Sequence, residues 1–543
     1  MVLFKTVFYI FYIDQMAYLR YNIKSMQRYR FTIAIAFIVL LSGILYLATL
    51  RGAEGNPTPT NLMNQEQSTQ AFELSPERGR FAHVVALADT KQYALSKELA
   101  DFVYPDVGWY EGRFYSFFAP GLSYMVLPFY ELGNHFGLAQ VFTFGFISFV
   151  SILSLIAIFF IAKNILKLPI WAAFISVLIF GFGSTAWSYA VTLYQHQLTV
   201  FFMLTTFYAA WKYRENSRTS FIWGGWVWLG YALAITIDYP NAILLLPVMI
   251  YFLVSAVTLT RTDERTKVHL KWSFVFTSLL FILVSGLHLY HNQAEFGSWK
   301  RLSGSIVSYK TIKERKLDTL SVANISQAIA TTQENKGNVV TFFSEQNIPH
   351  SFGTLMFSTD RGLLFYGPIF IFGLLGLLLL LRAINPETAT LMGLVFVNIF
   401  LYSSWGDPWG GWAYGTRYLI PSMAVLSVFA GYWFVQSPKA WISRILALPF
   451  FAYSSAVALV GALTTNAVPP RVEAVALHSK YNYLFNIDFL KDGKSGSFIF
   501  NTYAHNYVSL LQYYEIIYFF VLAIFIFVII LLPLFKGIKR RNA

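Results

Sequence analysis

A small set of ionisable side chains recurs among glycines and aromatic residues along this chain: Asp89, Glu111, Arg113, His196, Asp238, Lys300, Arg301, Arg361 and Arg417. Carboxylates such as Asp89 and Asp238 can take a proton from a hydroxyl held about 3 Å away. Guanidiniums such as Arg361 and Arg417 can hold phosphate oxygens through two parallel N–H bonds. The stretch 405–421, WGDPWGGWAYGTRYLIP, is the densest of these neighbourhoods. It sets Trp405, Trp409, Trp412 and Tyr414 around glycines that let a backbone come close to a ligand, with Arg417 at its end.

Each candidate also has a plain structural reading. Asp89 precedes KQYALSKEL and can be the N-cap of a helix. His196, two residues after Tyr194 and at the start of an apolar run, can simply hydrogen-bond its loop. Asp238, before Tyr239 and Pro240, can end one helix and cap the next. Arg361 follows Asp360 and can pair with it. Glu111 and Arg113 in YEGRFY can pair with each other. Arg417 can anchor a span end by reaching to the interface.

The elements that must carry these residues are apolar spans. Of the 543 residues, 56% are hydrophobic, 19% aromatic and 12% charged, against about 25% charged in a soluble protein. The mean hydropathy is +0.52. Apolar runs of about 18–25 residues recur, long enough to cross a hydrocarbon core. The net charge of +13 lies in short loops on alternate sides of the runs, the pattern of positive-inside topology. That pattern argues against nucleic-acid binding, which needs a basic face on a soluble domain. There is no cysteine, hence no disulfide framework. No His/Cys/carboxylate spacing indicates a divalent metal, and no cofactor is expected.

The sequence therefore predicts an all-α polytopic membrane protein of about twelve transmembrane helices, with an outer cap formed by long loops. Spans are expected near 31–50, 138–162, 169–189, 194–212, 220–237, 240–260, 272–290, 361–382, 388–404, 417–436, 443–463 and 511–535. Residues 1–30 form a basic inner leader in which Met26 is an alternative start. The module 31–464 includes outer loops 51–137 and 291–360. A further outer loop spans 465–510, and 511–543 holds the last span and a basic inner tail. The segment 120–136 is short and holds Glu131, Pro128 and Gly133, so it reads as interfacial or re-entrant. Asn324-Ile325-Ser326 fits a glycosylation sequon. All the candidate residues fall on the outer side, while the inner turns hold little beyond Lys and Arg.

The order of the patches resembles the GT-C superfamily of polytopic membrane glycosyltransferases, most nearly its bacterial members related to the protein mannosyltransferases. The matching pieces are Asp89 in a long first loop, GRFYSFFAPGLSYMVLPFY, LYQHQ, DYPNA, EFGSWKRL, TDRGLLFYGP and GGWAYGTRYLIP, over residues 80 to 435. The first loop departs from the family, having Asp89-Thr90-Lys91 where many relatives have Asp-Glu or Glu-rich versions. The resemblance implies transfer of a sugar from a polyprenyl-phosphate carrier to a glycan, lipid or protein acceptor on the outer face of the cell membrane. It makes Asp89 the expected base, with Asp101, Asp106 and Glu111 in reserve. It gives Arg417, Arg361 and Lys300 or Arg301 the phosphate, and gives Trp405, Trp409, Trp412 and Tyr414 the sugar or the lipid. A lipid or sugar transporter remains the alternative, as does a non-catalytic subunit of envelope glycan assembly. A transporter should show matching halves and broken helices at mid-membrane.

Overall fold

The computed structural model describes residues 31–64, 72–262, 265–314, 322 and 343–533. The leader 1–30 with Met26, the sequon at Asn324 and the basic tail 536–543 lie outside the described residues.

Helix α1 (Phe31–Thr49) leads into the first long connection, which holds α2 (Ser75–Asp89) and a hairpin of β1 (Val107–Tyr110) and β2 (Arg113–Ser116). Six helices follow: α3 (Gly121–His135), α4 (Ala139–Phe160), α5 (Ile170–Phe182), α6 (His196–Glu215), α7 (Ser220–Ile237) and α8 (Leu246–Ala256). A second hairpin, β3 (Val257–Thr262) and β4 (Arg265–Leu270), precedes α9 (Leu279–Phe296). The second long connection carries β5 (Val307–Ser308). Then come α10 (Phe370–Leu380), α11 (Pro386–Ser403), α12 (Ile420–Gln436), α13 (Ala440–Leu463) and, after the third connection, α14 (Leu510–Ile526).

Among the described residues, seven helices have the length and composition to cross a membrane: α1, α4, α7, α9, α12, α13 and α14, several of them extended by a turn or more. Helices α5, α8 and α10 are apolar but shorter. The protein is a helical membrane protein, and two small sheets qualify the all-α expectation. One is the β3–β4 hairpin, paired from Val257–Leu270 to Thr262–Arg265, where the end of the 240–260 span and a basic turn were expected. Its VTLTRT and RTKVHL segments are rich in β-branched residues, which favour a pleated ribbon over a helix.

Several predicted spans are broken, each for a local reason. The 240–260 run divides into Asn241–Leu244 and α8 because Pro247 has no N–H to continue the ladder. The 361–382 run divides into Leu363–Tyr366 and α10 around Pro368. The 169–189 run ends at Phe182, and a separate turn forms at Ala186–Ala190. The segment 120–136 is a continuous helix, α3, with Pro128 inside it, packed against α2 and α4. At 15 residues it is about 22 Å long, short of a hydrocarbon core of about 30 Å.

Helices α10 and α12 pack backbone to backbone. A Cβ on Gly373 would lie 2.5 Å from the Leu426 carbonyl, and one on Gly376 would lie 2.0 Å from that of Phe429. At one end of the bundle the long connections meet. Strand β5 joins β1, so the second connection extends the sheet of the first, and Lys313 pairs with Asp101 at 2.6 Å. Arg51, fully buried, is ion-paired to Glu73 and donates to the Gly461 carbonyl at 3.3 Å. Glu73 also accepts from Asn466 N at 2.7 Å, and Phe498 N donates to Leu50 O at 2.7 Å. These bonds tie the third connection to the first.

Candidate functional site

The loop between α11 and α12 is built by its own polar groups. Asp407 accepts from the amides of Gly410 (3.1 Å) and Gly411 (2.9 Å). Both glycines have positive φ, +69° and +62°, which a side chain would resist. Arg361 holds this loop from beneath. Its Nε donates to Trp409 O (3.1 Å), and Nη2 to Gly411 O and Val468 O (both 3.1 Å). Its Nη1 donates to the Asp360 carbonyl (3.1 Å) and carboxylate (2.9 Å). A guanidinium has five N–H donors, so Arg361 has none left for a phosphate. The expectation of a phosphate ligand there is corrected: Arg361 is a buried brace. Tyr414 is likewise buried, its hydroxyl on Val457 O and its amide on the Tyr189 hydroxyl at 3.0 Å, so it cannot stack on a ligand. Trp409 and Trp412 are half-buried on the loop's rim, Trp412 donating to Glu473 at 2.5 Å. Trp405 packs edge-on against Phe343.

Arg417 is placed differently. Its Nη2 donates to Gly410 O at 2.7 Å, but its Nε has no partner. Its guanidinium lies 5.6 Å from the ring of Tyr194 and 5.5 Å from that of Tyr418. Around it converge the start of α6 (His196), the residues just before it (Tyr194, Gln195), the end of α7 (Asp238) and Arg80 of α2. Gln195 donates to Asp238 at 3.2 Å. Arg80 lies over Phe118 at 4.5 Å and gives Nη1 to Pro76 O at 2.8 Å, leaving Nε unpartnered. Tyr194 OH, Gln195 Oε1 and His196 Nε2 are buried without partners too. Such orphans are uncommon in a finished core, and here they gather around two guanidiniums.

The charges act on one another. Burial lowers the pKa of Arg80 to about 10, Arg417 adding to that shift and Asp238 and Tyr194 opposing it. Burial raises the Asp238 carboxyl, while Gln195, Arg80 and Arg417 pull it back. Two cations thus share one partly exposed carboxylate, and the cluster carries an excess of positive charge.

The other predicted residues lie elsewhere. Asp89 is the exposed last residue of α2, not an N-cap, because HVVALA continues the helix begun at Ser75. Burial and Glu131 raise its pKa and Lys91 lowers it; neither arginine of the cluster figures among these influences. Asp101 is taken by Lys313, and Asp106 accepts from Ser75 at 2.5 Å. Glu111 forms the β1–β2 turn at φ +47°, and Glu111 and Arg113 are both exposed. Arg113 acts on Tyr115 rather than forming a pair with Glu111. Lys300 lies over Trp299; Arg301 lies over Tyr110 and caps Phe296 O at 2.9 Å. Tyr239 neighbours Asp238, with its ring 5.8 Å from His288. Among the described residues, no group of three His, Cys, Asp or Glu could hold a metal ion.

Sequence reasoning missed Arg80, Glu77 and the Arg51–Glu73 pair. ELSPERGR (73–80) carries four charges in a chain that is 12% charged, and that density was the available signal. Glu77 is fully buried, capping the start of α2 through the amides of Glu73 and Leu74, and burial and Glu73 raise its pKa to about 7.

No protein-family description matches the chain, and no curated protein matches it. Solved structures resemble it over most of its length at low identity. ArnT from Cupriavidus metallidurans in the apo state shares 14% identity over 92% of this chain and 78% of its own, with TM-score 0.41. The apo oligosaccharyltransferase of Archaeoglobus fulgidus shares 11% over 88% of this chain and 60% of its own, with TM-score 0.43. The archaeal oligosaccharyltransferase AglB from the same organism, in complex with an inhibitory peptide and a dolichol-phosphate, shares 11% over 88% and 59%, with TM-score 0.41.

Proposed function

We propose that the protein is a membrane glycosyltransferase moving a sugar from a polyprenyl-phosphate-linked donor to an acceptor hydroxyl at the loop-rich, outer face. The observation that carries this reading is the pair of guanidiniums, Arg80 and Arg417, with unused N–H groups beside a partly exposed Asp238. A phosphate leaving group needs fixed cations that gain strength as charge develops on it. Arg417 and Arg80 supply them in a poorly hydrated setting, and His196 Nε2 and Tyr194 OH add polar contacts. The acceptor oxygen attacks the anomeric carbon as the bond to the phosphate oxygen breaks. The electron pair leaves with the phosphate, and the hydroxyl proton passes to a carboxylate. Direct displacement inverts the anomeric centre, with no covalent intermediate. Asp238 is the carboxylate best placed for the proton, in preference to Asp89. The rigid rim of Trp409 and Trp412 borders the sugar.

The test is binding of a radiolabelled polyprenyl-phosphate sugar to purified protein in nanodiscs. Arg417→Ala and Arg80→Gln should each weaken binding, and Arg417→Lys should restore only part, since an ammonium lacks the planar fork. Unchanged donor affinity in both Arg417→Ala and Arg80→Gln would remove the phosphate site and the reading with it.

A further inference from the structure

Beside the arginine cluster lies a second polar concentration. Helices α3, α7 and α9 enclose a cavity of about 450 Å³ whose lining includes Tyr124, Leu233, Val284, Leu287, His288 and His291. Among the described residues, no lysine, arginine, aspartate or glutamate lines it. Its walls are mostly apolar, yet one end is built of imidazoles and phenols. Tyr124 OH and His291 Nδ1 are 3.4 Å apart. Tyr93 meets His291 edge-on at 4.4 Å and stacks on His83 at 4.1 Å. Four buried polar atoms in this group have no partner: His83 Nδ1, Tyr93 OH, His288 Nε2 and His291 Nε2. His83 accepts from Ser116 N at 3.4 Å, and burial lowers its pKa to about 3, so it stays neutral.

Three features restrict the occupant. A plain hydrocarbon chain would leave His288 Nε2 and His291 Nε2, the unpartnered atoms on lining residues, without a hydrogen bond, which buried polar groups resist. A charged head would find no counter-ion in the lining. One wall is α9, whose Ile282, Leu283 and Tyr290 are 60%, 58% and 73% exposed, so the cavity lies close to the lipid-facing surface. Its inner wall reaches the candidate site: Thr236 lies two residues before Asp238, and the Tyr239 ring is 5.8 Å from that of His288.

We propose that this cavity receives the uncharged, hydroxyl-bearing head of an amphiphilic acceptor arriving from the lipid side, its apolar part against Leu233, Val284 and Leu287. The assignment as acceptor rests on the transferase reading; the binding site itself does not. The imidazoles and phenols hydrogen-bond the head and leave one hydroxyl free towards Asp238.

The experiment uses full-length protein in nanodiscs, without donor, and an octyl β-glucoside carrying a photoreactive diazirine in its chain. Crosslinks should map to α3 and α9 and be displaced by plain octyl glucoside but not by undecaprenyl phosphate. His291→Phe keeps the ring's bulk and should lower labelling about tenfold, the scale of one buried hydrogen bond. Arg417→Ala should leave labelling unchanged while weakening donor binding. Displacement by undecaprenyl phosphate would overturn the proposal in favour of a groove for the donor's chain. Equal labelling by a diazirine octane lacking the sugar, or by His291→Phe, would reduce the cavity to an adventitious lipid pocket. Labelling as expected from a protein that binds no polyprenyl-phosphate sugar would sink the transferase reading alone and leave the pocket standing.

Discussion

Arg361 and Arg417 flank the same glycine-rich loop and differ in what their guanidiniums have left to give. Arg361 spends five donors on four residues of its own chain. Arg417 gives one to Gly410, hydrogen-bonds the Tyr418 side chain and keeps Nε free among aromatic rings. An arginine at the loop-rich end of an apolar run attracts attention either way, but only the second has capacity for a ligand. Residue type marks the neighbourhood; the accounting of donors assigns the role.

Substitutions should pull the two apart. The largest effect is expected for Arg361→Met, which leaves the buried Asp360 carboxylate without its cation and the carbonyls of Trp409, Gly411 and Val468 short of a donor. It should cost about 3–5 kcal/mol of stability, as breaking a buried pair does, seen as lost thermal stability and poor yield. Arg361→Lys should not recover it. A stable Arg361→Met protein with weakened donor binding would exchange the two roles. Next, Asp238→Asn should lower turnover about 100-fold or more, the usual worth of a general base, with melting temperature and donor affinity near wild type. Asp89→Asn should stay within about twofold; the opposite outcome would return the proton to the first loop. Arg417→Ala should keep the fold and weaken donor binding about 10- to 100-fold, the value of hydrogen bonds to a charged group.

The pH profile sharpens the same contrast. Asp238 must be ionised to accept a proton, and burial sets its pKa above the ordinary carboxylate range. Activity should therefore fall on the acid side as Asp238 is protonated. Arg80 opposes that raised pKa, so in Arg80→Gln the acid limb should move to higher pH. A limb that stays in place would uncouple the two residues. The smallest effect belongs to Trp412→Phe, which loses one partly exposed hydrogen bond to Glu473 and should cost about 0.5–1.5 kcal/mol, read as a small fall in melting temperature.

Much of the architecture was legible because apolar runs and basic turns are one-dimensional signals. Helices α1, α4, α7, α12, α13 and α14 lie where hydropathy put them. The breaks at Pro247 and Pro368 were legible too, had the missing N–H been weighed against the length of the run. The candidate site was half legible. Arg417, His196, Tyr194 and Asp238 come together from three separate stretches, all quoted from sequence. Asp89 misled because HVVALAD reads equally as the end of one helix and the approach to another, and only the start at Ser75 decides. Arg80 went unseen because its partners, Asp238 and Phe118, are distant in sequence, and spacing cannot reveal a neighbour that tertiary packing supplies.

The contact of α10 with α12 bears on how such a site could change shape. Arg361 stands shortly before α10, and Arg417 at the threshold of α12. Where these helices cross, Gly373 and Gly376 bring main chain against main chain, a close fit that resists sliding. That crossing works as a fixed jaw. Any widening to admit a bulky ligand falls to the opposite wall, where α2 brings Arg80 and α7 ends at Asp238. The movable half of the grip is then the half that carries Asp238.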